Sequence, residues 1–113
     1  MNIETIRKLC LEKPHATEEV KWEKDLCFMI GAKMFCITGL DHATGASLKV
    51  SDEKFAELVE QPGIIPAPYL ARYKWVRIDF DATLKVRDWE GLIDQSYGLI
   101  KAKLSNKQQD KLS

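Results

Sequence analysis

The sequence has no excess of charge of either sign. Its 113 residues include 17 Lys and Arg and 17 Asp and Glu, so the formal net charge is zero. A protein dedicated to tight nucleic-acid binding usually carries a clear basic excess. The zero total argues against that class unless the charges are segregated. The chain does separate them: residues 66–77 and 101–113 are net basic, whereas residues 18–25 and 52–60 are net acidic. A net charge of zero is therefore compatible with one basic face and one acidic face on the folded protein.

The sequence also lacks the residue groupings of metal, nucleotide and catalytic sites. His15 and His42 are its two histidines and lie in separate predicted loops, the second beside Asp41 in a predicted turn. A zinc site needs three or four ligands, usually with two at short spacing. No cysteine adjoins a histidine, and the glycines form neither GxGxxG nor a P-loop. We therefore expect no metal, no cofactor and no enzymatic activity.

No apolar run is long enough to span a bilayer. The longest uncharged run is LCFMIGA at residues 26–32, and the first 14 residues carry charges every few positions. Cys10, Cys27 and Cys36 form no CxxC pair, and an odd number of cysteines in apolar surroundings indicates reduced, buried thiols. We expect a cytoplasmic protein without membrane association.

Three helices are predicted from apolar spacing and end signals. The first begins after Asn2, a candidate N-cap, and ends near Pro14. The second begins after Ser51 and ends at Gln-Pro-Gly, and the third begins near Asp88. Residues 105–113 are predicted to fray. The apolar positions that recur at helical spacing in the third helix predict a buried face of Trp89, Leu92, Ile93, Leu99 and Ile100.

A β-hairpin is predicted between the first two helices. Its strands are residues 26–30 and 33–38, and the turn is Gly31-Ala32. Neither strand alternates apolar with polar residues, which indicates that both faces of the sheet are covered. Helices of the same chain or a second subunit could cover them, and the three predicted helices favour a monomer over a homodimer. A third strand is predicted at residues 47–51.

The remaining segments complete an α+β fold. Residues 15–22 are predicted to form a loop that leads into extended chain. Residues 64–69 contain two prolines and can form at most an edge strand, whereas residues 73–80 are a clear strand signal. The order is helix, three strands, helix, two strands, helix, in one domain over residues 1–113. Short connections predict a mainly antiparallel sheet of about five strands with helices packed on it.

Several segments in this order resemble the MmcQ/YjbR family of small bacterial proteins. They are YLARYKWVRI, LIDQSYGLIKAKL with its Ser96-Tyr97 pair, KPHATEEVKWEKDLCFMIGAKMFCIT, and SLKVS, in which Lys49 occupies the family's usual lysine. The chain departs from many relatives in PHATEEVKW, where they have a Pro-Gly turn and a Phe-Gly pair. The resemblance covers nearly the whole chain. It implies a YjbR-like, CyaY-like fold and a DNA-binding role, and it supplies no catalytic residues.

Residues 66–80 mix aromatic and basic side chains and carry the functional hypothesis. As an extended strand this segment would place Tyr73, Trp75 and Arg77 on one face. Rings can stack on bases and cations can meet phosphates, but the same pattern is typical of a strand whose aromatic residue fills the core. Whether Trp75 is core or contact stays open. The candidate nucleic-acid-binding residues are Lys49, Tyr69, Arg72, Lys74, Trp75 and Arg77.

Two functions therefore remain. The first is weakly sequence-selective, mainly electrostatic DNA binding, favoured narrowly and chiefly by the resemblance. The second is a protein-interaction or small-ligand-binding domain that uses the apolar hairpin and has no nucleic-acid role.

Overall fold

A computed structural model describes residues 1–40 and 44–111. The Asp41-His42 turn predicted above lies outside the described residues. The helices are α1 (Ile3–Leu11), α2 (Asp52–Leu58), α3 (Val86–Lys101) and α4 (Asn106–Asp110), with a 3-10 helix at Ala71–Tyr73. The strands are β1 (Thr17–Lys21), β2 (Asp25–Ile30), β3 (Lys33–Gly39), β4 (Gly45–Lys49), β5 (Ile64–Pro66) and β6 (Trp75–Asp79).

The strands form one antiparallel sheet in the order β1-β2-β3-β4-β6-β5. The α+β class, the β2–β3 hairpin and the edge position of β5 confirm the predictions. The sheet has six strands rather than about five, because residues 17–21 of the predicted loop pair with β2. The side chains of β1 are mostly exposed, and the strand is held by backbone pairing with β2. Its sequence therefore lacks the apolar pattern from which a strand is predicted.

Helices α1 and α2 begin where the sequence places their caps, whereas α3 begins at Val86, two residues before the predicted start near Asp88. The Asn2 side chain accepts a hydrogen bond from the Thr5 amide, and Ser51 accepts one from the Lys54 amide. Near the C-terminus, the Ser105 hydroxyl accepts a hydrogen bond from the Gln108 amide, and the Ser105 amide donates one to Gln108 Oε1. The short helix α4 therefore stands where a frayed tail was predicted. The capping box supplies local order that the apolar pattern did not show.

The core lies between one face of the sheet and α1 and α3. Trp89 and Ile93 of α3 pack with Phe28, Leu48 and Ile78 of the sheet. Leu92 and Ile100 are also buried as predicted, whereas Leu99 is only partly buried and Tyr97 takes a buried place instead. No helix in the described parts of the chain combines the length and the apolar character that crossing a membrane requires.

The Ser96-Tyr97 pair ties α3 to the sheet. Ser96 Oγ donates to the carbonyl oxygen of Phe35 over 2.6 Å and accepts from the Lys49 amide over 3.0 Å. The register between β2 and β3 shifts so that Phe35 has no partner on β2, which turns its backbone toward the helix. The Tyr97 hydroxyl donates to the Pro14 carbonyl over 2.6 Å. One residue pair therefore fixes α3 to β3, β4 and the loop between α1 and β1.

Candidate functional site

The face of the sheet opposite α3 carries a groove. Strand register aligns Cys27, Ile37, Ser47 and Arg77 in one row across four strands, and alternation places this row on the face away from the core. The groove has a volume of about 840 Å³. We call it the outer groove; its lining residues are Trp22, Lys24, Asp25, Met34, Ile37, Thr38, Gly39, Thr44, Gly45, Ser47, Ala67, Pro68, Tyr69, Leu70 and Arg77.

Two exposed aromatic rings flank the outer groove. Trp22 is 64% exposed and follows β1, whereas Tyr69 is 99% exposed and lies in the loop between β5 and the 3-10 helix. Both residues have left-handed backbones, with φ of 54° and 67°. This conformation costs free energy for non-glycine residues and tends to be found at functional sites. The chain thus leaves two large rings in solvent on strained backbone, beside a groove with an apolar floor.

Arg77 provides an oriented cation in the same groove. Its Nη2 donates to Thr44 Oγ1 over 2.8 Å, and no ion pair within the described residues includes it. The guanidinium lies against Gly45, where a Cβ atom would come within 2.4 Å of Arg77 Nη1 and 2.6 Å of the Ile78 carbonyl oxygen. Gly45 is therefore needed for this position of the guanidinium. No other hydrogen bond joins the Arg77 side chain to a described residue, so its remaining donors can meet an anion or a base edge.

Trp75 belongs to the core. It is 5% exposed, its amide bonds to the Leu70 carbonyl, and its carbonyl accepts from the Ala67 amide. These two hydrogen bonds hold residues 67–70 against Trp75. In this structure its ring cannot meet a base, and the core interpretation is the one that its burial supports.

The strand predicted at residues 73–80 begins two residues later in the structure, at Trp75. Tyr73 ends the 3-10 helix, and Lys74 has a left-handed backbone with φ of 64°. The prediction that Tyr73 shares a strand face with Trp75 and Arg77 is wrong for this reason, because period-two alternation requires extended backbone from the first residue onward. β6 starts at Trp75.

The other basic candidates lie away from the outer groove. Arg72 stacks over the Tyr73 ring, with its Cζ atom 4.7 Å from the ring centroid. The Lys49 ammonium donates to the Tyr73 carbonyl oxygen, and Lys74 Nζ lies 4.9 Å from the centroid of the Phe55 ring. The structure thus brings Tyr69 and Arg77 together and separates them from Lys49 and Lys74. Trp22 was missed, although a lone tryptophan within the charged segment EEVKWEKD is a signal that could have found it.

The buried thiols have the properties of core groups. Cys10, Cys27 and Cys36 are free and buried, as predicted. Contact with the Cys36 thiol and burial raise the pKa of Cys10, and burial raises the pKa of Cys27 to about 11. A high pKa leaves little thiolate at neutral pH. Among the residues that the structure describes, no three His, Cys, Asp or Glu side chains are grouped to hold a metal ion.

Comparison with known proteins gives the family. The YjbR family model matches residues 11–99, which include Trp22, Tyr69 and Arg77. The chain belongs to the YjbR family. The resemblance stated above is confirmed. No curated protein matches the chain.

Solved structures with the same fold include two bacterial proteins. Protein DR2400 of Deinococcus radiodurans, assigned to the domain family DUF419, is similar with a TM-score of 0.84 and 26% identity, over 98% of this chain and 87% of that one. A Pseudomonas syringae protein is 22% identical in a crystal structure with a TM-score of 0.73, over 88% of this chain and 98% of that one. Its solution NMR structure has a TM-score of 0.68 over 88% and 92%. At 22% identity, the similarity to the Pseudomonas protein shows a common fold and nothing more.

Proposed function

We propose that this YjbR-family chain binds single-stranded DNA in the outer groove, with weak sequence selectivity and without catalysis. The observation that carries the proposal is the pair of exposed rings, Trp22 and Tyr69, at a groove that also holds the Arg77 guanidinium. Bases stack on aromatic rings whatever their sequence, and a cation beside them meets the backbone phosphate.

The strain on both ring-bearing residues supports a binding role. A tryptophan and a tyrosine in the left-handed region would ordinarily be replaced by residues that adopt it at lower cost. Exposed rings on strained backbone contribute little to the stability of the fold. We infer that the cost of the strain is offset by binding a ligand. A stacked base would cover apolar ring surface that now faces water.

The groove favours unpaired over paired bases. In a duplex the base faces are already stacked, and only a single strand offers them to Trp22 and Tyr69. Among the described residues, the charged ones that line the groove are Lys24, Arg77 and Asp25. Two cations and one carboxylate support a modest electrostatic contribution, consistent with the neutral charge of the whole chain.

Intrinsic fluorescence tests the proposal directly. Of the three tryptophans, Trp75 and Trp89 are buried and only Trp22 is exposed. Titration with an oligothymidylate should therefore quench the solvent-exposed emission, and Trp22→Phe should remove the quenched component. Tyr69→Ala should weaken binding by about 1–3 kcal/mol. Tyr73→Ala is the matched control, because Tyr73 is exposed but lies outside the outer groove. Equal affinity of the Tyr69 variant and the wild type, or no DNA binding at low salt, would refute the proposal.

A small-ligand function has one observation in its favour. The groove floor is apolar, with Met34, Ile37, Pro68 and Leu70 among its lining residues, and apolar pockets with a few polar groups are typical of small-molecule sites. Chain length separates the two functions. A strand that spans the groove should bind more tightly as it lengthens from one nucleotide to about ten, whereas a small-ligand site should show no such gain.

A further inference from the structure

A second row of residues crosses the outer groove beside the row that contains Arg77. Asp25 of β2 pairs with Gly39 of β3, and it lies two residues before Cys27 on the same face of β2. The antiparallel register between β3 and β4 brings Gly39 beside Gly45 at the next step of the ladder. The three residues of this row, Asp25, Gly39 and Gly45, all line the groove.

The Arg77 guanidinium forms one end of the row. It lies over Gly45, since a Cβ atom there would come within 3.0 Å of Arg77 Cζ. Thr44 Oγ1 accepts a hydrogen bond from Arg77 Nη2 over 2.8 Å and fixes the orientation of the group. A guanidinium has five N–H donors in a rigid fork, so one hydrogen bond leaves donors for a ligand with two adjacent acceptors.

The Asp25 carboxylate forms the other end of the row. Within the part of the chain that the structure describes, no ion pair includes Asp25. Gly39 lies between Asp25 and Gly45 and has no side chain, so a flat group can approach the backbone there. Two strand spacings place the backbone of Asp25 roughly 10 Å from that of Gly45. This separation leaves room for one planar group that is hydrogen-bonded at both ends.

We propose that Arg77 and Asp25 bind a guanine base of the DNA strand, an inference that rests on the proposed function. Guanine has two acceptors, O6 and N7, on one edge, and arginine is their usual partner. Its adjacent edge has N–H donors at N1 and N2, and an ionised carboxylate accepts from such donors. Guanine is the one DNA base with two donor groups side by side.

Unpaired guanine is the form that fits. In a duplex the donors at N1 and N2 are hydrogen-bonded to cytosine, so the Asp25 carboxylate can accept from them only in a single strand. Neighbouring bases can stack on Trp22 and Tyr69, which do not distinguish one base from another. Recognition of one base within a strand that is otherwise held without selection agrees with weak sequence selectivity.

Oligothymidylates of equal length with one central replacement test the inference. A strand with one guanine should bind the wild type about tenfold more tightly than a strand with one adenine or with thymine alone. 7-Deazaguanine lacks the N7 acceptor, and hypoxanthine lacks the amino group at C2. Each should lose most of the gain that guanine gives.

Two variants assign the base atoms to side chains. Arg77→Lys keeps the charge but loses the fork, and should bind guanine and 7-deazaguanine equally. Asp25→Ala should bind guanine and hypoxanthine equally. Two affinities are compared within one variant, so the effect of a changed net charge cancels. Glu53→Ala, which removes an exposed carboxylate on α2 outside the groove, is the matched control and should discriminate like the wild type. Melts check that each variant is folded.

The outcomes separate this inference from the proposed function. Equal binding of all strands by the wild type would overturn the guanine inference and leave single-strand binding in place. A guanine preference that persists unchanged in Arg77→Lys and in Asp25→Ala would show that other groups recognise the base, and would also overturn the inference. Failure of every strand to bind would refute the proposed function itself.

Discussion

Replacing Ser96 by alanine should destabilise the fold far more than the loss of one small side chain suggests. Ser96 is fully buried, and its hydroxyl bonds at once to the Phe35 carbonyl and to the Lys49 amide. Alanine would leave a buried acceptor and a buried donor without this partner, and each such group costs about 1–3 kcal/mol. We expect the free energy of unfolding to fall by about 2–4 kcal/mol and the Tm by roughly 10 °C.

Urea denaturation at equilibrium measures this loss. The m-value should stay constant while the midpoint falls, because the change affects the native state rather than the surface exposed on unfolding. Tyr97→Phe is the comparison variant: it removes one hydrogen bond, to the Pro14 carbonyl, and should cost only about 1 kcal/mol. A Ser96→Ala stability within about 0.5 kcal/mol of the wild type would show that the hydroxyl does not satisfy the bulged backbone at Phe35.

Three further predictions concern the core and one surface ion pair. Leu92→Ala should cost about 2–5 kcal/mol of stability through lost burial and a residual cavity, and a melt without this loss would contradict the assigned helix face. Trp75→Ala should cost about 3–5 kcal/mol, whereas Tyr69→Ala should leave the Tm nearly unchanged; the opposite order would reverse their assignment as core and contact. Hydrogen bonds from Arg7 lower the pKa of Glu18. This pair therefore stabilises the fold above the ordinary glutamate pKa of 4.5, and the contribution is lost as the pH falls through the lower folded-state value. The wild type should be slightly more stable than Glu18→Gln at about pH 7 and equal to it at about pH 3, and a difference that persists in acid would exclude this cause.

Local signals in the sequence predicted most of the fold. The helix caps at Asn2 and Ser51, the hairpin turn at Gly31 and the breaks at Pro14 and Pro62 are local signals, and the structure confirms them. β1 could not be predicted in the same way, because its exposed side chains alternate in no burial pattern and its stability comes from pairing with β2. Strand formation by pairing is a tertiary effect that local sequence does not encode.

The candidate site was predicted only in part. Tyr69 and Arg77 were named, but Trp22, which flanks the same groove, is 47 residues away from Tyr69 in the sequence. The strand order does not predict that they line one groove, because β1 and β5 are the opposite edges of the sheet and both residues lie in the loops that follow these strands. The boundary of β6 was misplaced for a local reason. Lys74 adopts a left-handed backbone, a conformation that its residue type does not announce.

The left-handed residue at Lys74 explains why the five candidates between Tyr69 and Arg77 do not form one surface. Before it, the Tyr73 carbonyl accepts a hydrogen bond from Lys49; after it, Trp75 is buried and Arg77 lines the outer groove. The buried indole therefore separates two basic regions. If the two regions contact one strand through separate groups, the losses of DNA affinity in Arg77→Gln and in Arg72→Gln should add within about 0.5 kcal/mol in the double variant. If contact at one region depends on the seating of the strand at the other, the double variant should depart from this sum by more than about 0.5 kcal/mol. An Arg72→Gln variant that binds DNA like the wild type would mean that the region before Lys74 does not contact the strand.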